Sequence, residues 1–237
     1  MITSTYDERI TASLPAIQDR IYAAAQRSGR GSDEVTLVAV TKAHPIAAVY
    51  AALSHGLFNL GENRTEELAW KHATVEDGRA QWHMIGHVQR RKAPRLVGVA
   101  DLVHSIDSVR LAERLSNAAL EAGEVVSVLV QVNTSGEQSK DGFQGSGVRD
   151  EILGVLALPG LEVRGLMTMA PFTDDETLLR RTFEGVRTLD EELRPVEGYC
   201  GDHLSMGMTN DFEIAIEEGS TMIRIGTALF GKRMVHD

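Results

Sequence analysis

The chain has 237 residues and a mass of 25.9 kDa, with 43% hydrophobic and 24% charged residues. This balance is typical of a globular protein and excludes a disordered tail or a fibrous repeat. The net charge of -10 at pH 7 disfavours binding to nucleic acid or to an anionic membrane. A single cysteine, Cys200, excludes an internal disulfide framework, and no apolar run suits a transmembrane helix. Without a secretory signal at the N-terminus, a cytoplasmic monomer is expected.

Hydrophobic periodicity predicts one helix followed by eight strand and helix units. Residues 7–30 place apolar side chains three and four positions apart, which indicates a helix. The predicted strands are 35–41, 57–61, 81–85, 102–105, 125–132, 161–167, 199–205 and 222–225. The predicted helices run from Pro45 to Gly56 and over 62–73, 89–96, 107–121 (capped by Asp107), 146–157, 174–193 and 210–218, with a last turn at 228–230.

Strands that alternate with helices favour a parallel sheet with crossover helices. Eight such units in about 200 residues match the count of a (β/α)₈ TIM-type barrel. An open, doubly wound sheet is the alternative architecture. No linker or composition shift divides the chain, so a single domain over residues 1–237 is expected, with the extra helix at its N-terminus.

Lys42 directly follows the first predicted strand, and barrels carry their functional residues at the carboxyl ends of their strands. A lysine set against apolar walls has its charged form disfavoured. A neutral amine attacks aldehydes, so Lys42 is a candidate for Schiff-base chemistry. The alternative is a lysine that extends from the first loop into solvent.

Two segments near the end of the chain place small and hydroxyl residues after the last two strands. They are LSMGMT at 204–209 and MIRIGTALFG at 222–231. Barrels frequently bind phosphate in the loops after strands seven and eight. Ser205, Gly226 and Thr227 are the candidate phosphate ligands. A lysine amine together with a phosphate site meets the requirements of pyridoxal 5′-phosphate (PLP).

The remaining charged clusters have simpler interpretations. His83 and His87 are four residues apart but lie at a strand end, so no metal site is expected. Adjacent acidic pairs such as Glu66–Glu67 do not share a helix face, and solvated positions are expected for them. The basic run from Arg90 to Lys92 attracts an anion or a partner, or is a solvated helix start.

Together, these segments resemble the PLP homeostasis family, whose fold is that of the alanine racemase N-terminal barrel (fold type III of PLP proteins). The similarity extends over residues 37 to 233. The matching stretches are LVAVTK (37–42), GEN (61–63), QWHMIGHVQRRK (81–92), HSIDS (104–108), VNTSGEQSKDGF (132–143), GLMTM (165–169), LSMGMT (204–209) with DFE and AI (211–216), and STMIRIGTALFGKR (220–233).

The resemblance implies that Lys42 holds PLP covalently, as an internal aldimine. It also implies that Arg224 lies close to the pyridine nitrogen, where its permanent charge would disfavour protonation of the ring. The other cofactor-binding residues that it implies are Ser205, Met206, Gly226 and Thr227 at the phosphate, with Asn63, His83 and Met167 around the cofactor.

The chain departs from the family pattern at two places. The pattern x-Leu-Gln-x-Asn-Lys after Ile-Gly reads His-Val-Gln-Arg-Arg-Lys over 87–92, so Arg91 replaces an asparagine and adds a charge. The serine that ends SMGMS is Thr209, which keeps the hydroxyl. Neither change affects the lysine or the expected phosphate ligands.

The resemblance implies a carrier that buffers PLP in vitamin B6 and amino-acid homeostasis, that hands it to PLP-dependent enzymes and that has no catalytic residues. The alternative is an amino-acid racemase, which in this fold requires a second, β-rich domain with an opposing tyrosine. The chain ends soon after residue 233, and its tyrosines at 6, 22, 50 and 199 lie outside the predicted functional loops. A third possibility is a barrel that binds another phosphate metabolite without a Schiff base.

Overall fold

The computed structural model describes residues 2–137 and 141–231, and it confirms the predicted barrel. Eight parallel strands, β1 to β8, follow one another around a closed barrel in chain order. β8 pairs with β1 from Thr36↔Met222 to Ala39↔Ile225, which closes the sheet and excludes the open architecture.

The strands and helices alternate as predicted. The strands are β1 Thr36–Val40, β2 Asn59–Glu62, β3 Gln81–Met84, β4 Leu102–Ile106, β5 Val126–Gln131, β6 Leu161–Met167, β7 Tyr199–Met208 and β8 Met222–Ile225. The α-helices are α1 Ile2–Arg27, α2 Ile46–Ser54, α3 Thr65–Thr74, α4 Val109–Ala122, α5 Val148–Leu156, α6 Glu176–Leu193, α7 Phe212–Glu217 and α8 Thr227–Phe230.

Several predicted boundaries are wrong, and one of them matters for the site. β7 continues to Met208 instead of ending at Ser205, because its pairing with β8 shifts register between these residues. The predicted cap Asp107 is also incorrect, since the Ser108 side chain accepts the Leu111 N–H. The segment Arg90–Leu96, expected to be a helix, forms 3₁₀ turns.

The main core lies between the barrel and its helices. The apolar face predicted for the first helix is buried and packs against α2, α7 and α8. A second, smaller apolar cluster fills the inside of the barrel: Val38, Leu102, Leu129, Met167 and Met222. The strand positions paired with these residues include the buried polar side chains His83, Ser205 and Arg224. Among the described residues, no helix is long and apolar enough to cross a membrane.

Candidate functional site

A cavity of about 280 Å³ opens where several of the barrel strands end. Lys42 and Arg224 contribute cationic side chains to its wall, and Asp211 contributes a carboxylate. The remaining lining residues are Val40, Asn63, Ile85, the segment 169–173, Met208, Thr209, Asn210, Gly226 and Thr227. Such a mixture of apolar wall and few charged groups is typical of a small-molecule site.

Lys42 stands on a short turn that two residues of α3 hold in place. The Thr41 carbonyl accepts hydrogen bonds from the Lys71 ammonium (2.9 Å) and from the His44 N–H (3.0 Å). Ala43, on the other side of Lys42, has a φ of +57°, an unfavourable value for a residue with a Cβ. Its N–H donates to Glu67 Oε1 at 2.7 Å, which offsets the strain. The half-buried Lys42 is therefore fixed from both sides.

Lys71 of α3 also forms a fully buried ion pair with Glu62, the last residue of β2. Lys71 Nζ lies 2.7 Å from Glu62 Oε1 and 2.9 Å from Glu67 Oε1. The Thr41 hydroxyl also donates to Glu62 Oε1. Glu62 Oε2 has no hydrogen-bond partner among the described residues. Burial therefore raises the pKa of the Glu62 carboxyl to about 7, and the Lys71 ammonium opposes that rise.

Arg224 reaches the cavity from β8, and its guanidinium ties three strands together. Its two terminal nitrogens donate to the carbonyl and hydroxyl oxygens of Ser205 (2.8 and 2.6 Å) and to the Thr168 carbonyl (2.9 Å). Burial lowers the pKa of Arg224 to about 10, and the charge of Asp211 opposes the fall. The guanidinium is therefore protonated at neutral pH and held rigidly beside the cavity.

Behind Arg224, a chain of hydrogen bonds crosses the barrel interior. Ser205 Oγ contacts His104 Nδ1 (2.9 Å), His104 Nε2 contacts His83 Nδ1 (2.9 Å), and His83 Nε2 contacts Asn59 Oδ1 (3.1 Å). A guanidinium only donates and an amide oxygen only accepts, so every bond in the chain donates toward Asn59. Both imidazoles are then neutral. Burial lowers the pKa of His83 to about 3 and that of His104 well below its usual value.

The end of β7 and the start of α8 supply backbone and hydroxyl groups to the cavity. The Met208 N–H donates to Asp211 Oδ1 (2.6 Å), and the Asp211 N–H donates to the Met208 carbonyl (3.1 Å). This tight turn leaves Thr209 and Asn210 at the cavity wall. The exposed Thr227 begins α8 and also lines the cavity, and its hydroxyl makes no hydrogen bond to a described residue.

The loop after β6 forms a wall that was not predicted from the sequence. Residues 169–173 line the cavity, and the Phe172 side chain is 94% exposed. A phenylalanine this exposed at the rim of a cavity provides apolar surface to a bound ring or to a partner. The Pro171–Phe172 sequence in a predicted loop is the one signal that could have indicated it.

The structure brings together five of the nine predicted cofactor-binding residues. Lys42, Asn63, Arg224, Gly226 and Thr227 line the cavity. Asn63 is fixed by close contact with Gly86, where a Cβ would lie 2.4 Å from the Asn63 carbonyl oxygen.

The other four predicted residues lie behind the wall. Ser205 and His83 belong to the hydrogen-bond chain, and Met167 belongs to the apolar cluster inside the barrel. Met206 is fully buried in the main core. Because β7 continues to Met208, the residues that replace Ser205 and Met206 at the wall are Met208, Thr209 and Asn210.

One expectation about charged residues also changes. Glu67, expected to be solvated, is a partner of the buried Lys71, and the spacing of four residues on one helix could have revealed the pair. His87 contacts two carboxylates. Its Nδ1 is 2.9 Å from Asp107 Oδ2 and 3.6 Å from Asp141 Oδ2.

Sequence relatives align with this chain over almost its whole length. The family model for the alanine racemase N-terminal domain matches residues 12–234. A protein of Aquifex aeolicus named pyridoxal phosphate homeostasis protein is 37% identical over 220 residues, which cover 93% of this chain and 96% of that protein. A protein of the same name from Pseudomonas aeruginosa is 39% identical over 225 residues, with 94% and 96% covered.

Solved structures agree with this relationship. PipY of Synechococcus elongatus, solved with PLP bound, superposes with a TM-score of 0.78 at 35% identity, covering 91% of this chain and 100% of PipY. An alanine racemase of Clostridium difficile has a TM-score of 0.78 at 15% identity, covering 95% of this chain and 57% of the racemase, and shows the shared fold alone. The chain therefore belongs to the alanine racemase N-terminal domain family and, within it, groups with the pyridoxal phosphate homeostasis proteins.

Proposed function

We propose that this protein binds PLP through Lys42 and acts as a carrier that buffers the cofactor and passes it to PLP-dependent enzymes. The observation that carries the proposal is one cavity that joins the Lys42 amine, the Arg224 guanidinium and the Thr227 hydroxyl. PLP has an aldehyde that an amine can capture and a phosphate that needs hydrogen-bond donors and positive charge. Relatives named for PLP homeostasis and the PLP-bound structure of PipY support the same ligand.

The residues present fit the cofactor in three respects. Hydrogen bonds fix the backbone on both sides of Lys42 at the end of β1, and Lys42 lines the cavity. Gly226 lies against β1, where a Cβ would meet the Val40 Cβ at 3.3 Å, so glycine permits this close approach. The first N–H groups of a helix lack helical acceptors and can bind a phosphate together with the Thr227 hydroxyl.

The position of Ser205 suggests a supporting role in place of the expected phosphate contact. Its hydroxyl accepts from Arg224 and donates to His104, and it is fully buried. We propose that Ser205 and the two histidines hold the guanidinium, while Thr209 and Thr227 contact the phosphate. Arg224 would then keep a fixed positive charge beside the ring, which disfavours protonation of the pyridine nitrogen.

Chemical trapping tests the covalent link. The purified protein with PLP should absorb in the visible range, and borohydride reduction should attach the cofactor irreversibly to the peptide that contains Lys42. The reason is that, among the described lysines, Lys42 alone lines the cavity. Peptide mass mapping of the reduced protein is the measurement.

The variant Lys42→Ala is the control and should lose both the visible band and the label. A label on Lys71 or Lys92 would contradict the site. The same holds for Lys140 and Lys232, which lie outside the described residues. A protein that binds PLP without any reducible link would instead support a barrel for phosphate metabolites without Schiff-base chemistry.

Racemase turnover is expected to be negligible. Racemisation by two bases needs a proton acceptor on each face of the substrate. None of the four tyrosines lines the cavity: Tyr6 bonds His44, Tyr199 donates to Asp190, and the other two are exposed on helices. The Asp211 carboxylate already accepts the Met208 N–H. Deuterium exchange at the α-carbon of alanine is the measurement, with PLP alone as the blank.

A rate constant for this exchange of roughly 1–10³ s⁻¹, the usual range of enzymes, would contradict the carrier proposal and favour the racemase. Exchange no faster than with PLP alone would support the carrier. Arg224→Gln is the informative variant, since removing the charge beside the ring should raise any residual exchange.

A further inference from the structure

A second concave site, separate from the cavity, lies between the 3₁₀ segment and the start of α4. Its volume is about 370 Å³, and it is lined by Arg90, Arg91, Arg110, Glu113, Arg114 and Asn117. We call it the arginine cleft. It shares no lining residue with the proposed PLP cavity. In a chain of net charge -10, four arginines in one cleft are an unusual concentration of positive charge.

The four guanidinium groups form no salt bridge with any described residue. Arg91 Nε donates to the neutral Gln89 side chain at 3.2 Å. The other cations of the same segment are engaged elsewhere, since Lys92 and Arg95 both bind Glu66 on α3. The 3₁₀ segment therefore directs two cations toward an acidic partner and presents the other two to the cleft.

The start of α4 increases the positive potential. Arg110 and Arg114 are four residues apart on one helix face, and like charges at this spacing repel each other. The first turn of α4 contains no acidic residue, although a helix N-terminus favours negative charge. Glu113 supplies the one carboxylate of the cleft, against four positive charges. An anion in the cleft would relieve this repulsion.

We propose that the arginine cleft binds a small phosphate-bearing anion, such as an organic phosphate or diphosphate with at least two negative charges. Guanidinium groups bind phosphate oxygens in pairs. No aromatic or aliphatic side chain of the described residues lines the cleft. That lining offers neither the stacking surface that single-stranded nucleic acid needs nor the apolar anchor typical of a protein interface.

The cleft also depends on a residue that the family pattern does not predict. That residue is Arg91, which stands where the pattern has asparagine and adds a charge. The inference does not rest on PLP binding, because the two sites are lined by different residues.

Calorimetric titration with inorganic pyrophosphate tests the proposal. The protein is first loaded with PLP, so that the phosphate-binding part of the cavity is filled, and unbound PLP, itself an organic phosphate, is removed by gel filtration. Absorbance monitors that PLP stays bound. We expect one pyrophosphate per chain, bound more tightly than inorganic phosphate and more weakly as salt is added. The double variant Arg110→Gln with Arg114→Gln should lower the affinity by about tenfold or more, the effect of losing charged hydrogen bonds.

Arg149→Gln is the matched control, because Arg149 is also an exposed arginine at the second position of a helix. It should leave pyrophosphate affinity unchanged. The glutamine variants should unfold at the same or a higher temperature than the parent, which separates lost binding from lost folding. Equal loss in the control and the double variant would overturn the proposal. So would cleft-dependent binding of polyglutamate or RNA with no binding of pyrophosphate.

Discussion

Replacing Lys71 with methionine is expected to lower the free energy of unfolding by about 3–5 kcal/mol, the usual effect of removing one partner from a buried ion pair. Lys71 is fully buried and donates to Glu62, Glu67 and the Thr41 carbonyl. Methionine fills a similar volume but leaves the Glu62 carboxylate without its cation. Urea unfolding followed by circular dichroism measures the loss.

The loss should depend on pH in a defined direction. The pKa of Glu62 in the folded protein is raised to about 7 from its ordinary value of 4.5, and removing Lys71 takes away the group that opposes this rise. Between the two pKa values, the folded state binds more protons than the unfolded state, so stability falls as pH increases. The variant should therefore lose more stability at pH 8 than at pH 5.

Two variants separate this interpretation from a simple packing defect. Lys92→Met removes a lysine that binds the exposed Glu66, and its effect on stability should be far smaller, because an exposed ion pair contributes little. Adding Glu62→Gln to Lys71→Met should recover part of the stability at pH 8, because the unpaired charge is gone. Equal destabilisation at both pH values, with no recovery in the double variant, would show that the unpaired Glu62 charge does not cause the loss of stability.

Thr227→Ala is expected to weaken PLP binding by about 1.5–3 kcal/mol, or roughly 10- to 150-fold in the dissociation constant, the scale of a hydrogen bond to a charged group. The Thr227 hydroxyl lies at the cavity wall and makes no hydrogen bond to a described residue. The change should leave folding unaffected, since the side chain is exposed and alanine favours helix. Equilibrium titration with PLP, followed by absorbance, gives the affinity.

Ser205→Ala provides the contrast to Thr227→Ala. Ser205 is buried and bonds both Arg224 and His104, so its loss should cost about 1–3 kcal/mol of folding stability. Its effect on PLP affinity should be smaller than that of Thr227→Ala. If the two variants ranked in the opposite order for affinity, Ser205 would itself be a phosphate ligand and the assignment of the β7 turn would be incorrect.

The barrel could be predicted from the sequence because β-branched runs alternate with helical segments eight times. Lys42, Gly226 and Thr227, which line the cavity, could also be identified from the sequence, since each lies within two residues of the end of a predicted strand. The end of β7 was not predicted, because its register shift depends on pairing with β8. The one local signal was Gly207, which has a φ of +95° inside the strand. The Glu62–Lys71 pair was missed for a similar reason: its residues meet only when α3 packs on β2.

Residues of one motif can therefore lie in different surroundings that the motif does not distinguish. Ser205 and Thr209 belong to the same short motif, yet the first lies inside the barrel and the second lines the cavity. Ser205 lies within β7, whereas Thr209 lies one residue beyond its end. The motif therefore identifies the strand that reaches the cavity, but not which of its residues line the wall.

The hydrogen-bond chain from Arg224 to Asn59 has a polarity, because it begins at a group that can only donate and ends at an oxygen that can only accept. One imidazole tautomer is thereby selected at each of the two histidines. Reversing the chain would require an acceptor at position 224, so a carboxylate there would oppose every bond behind it. The positive charge of Arg224 at the cavity is therefore coupled, through the hydrogen-bond chain inside the barrel, to Asn59 at the start of β2.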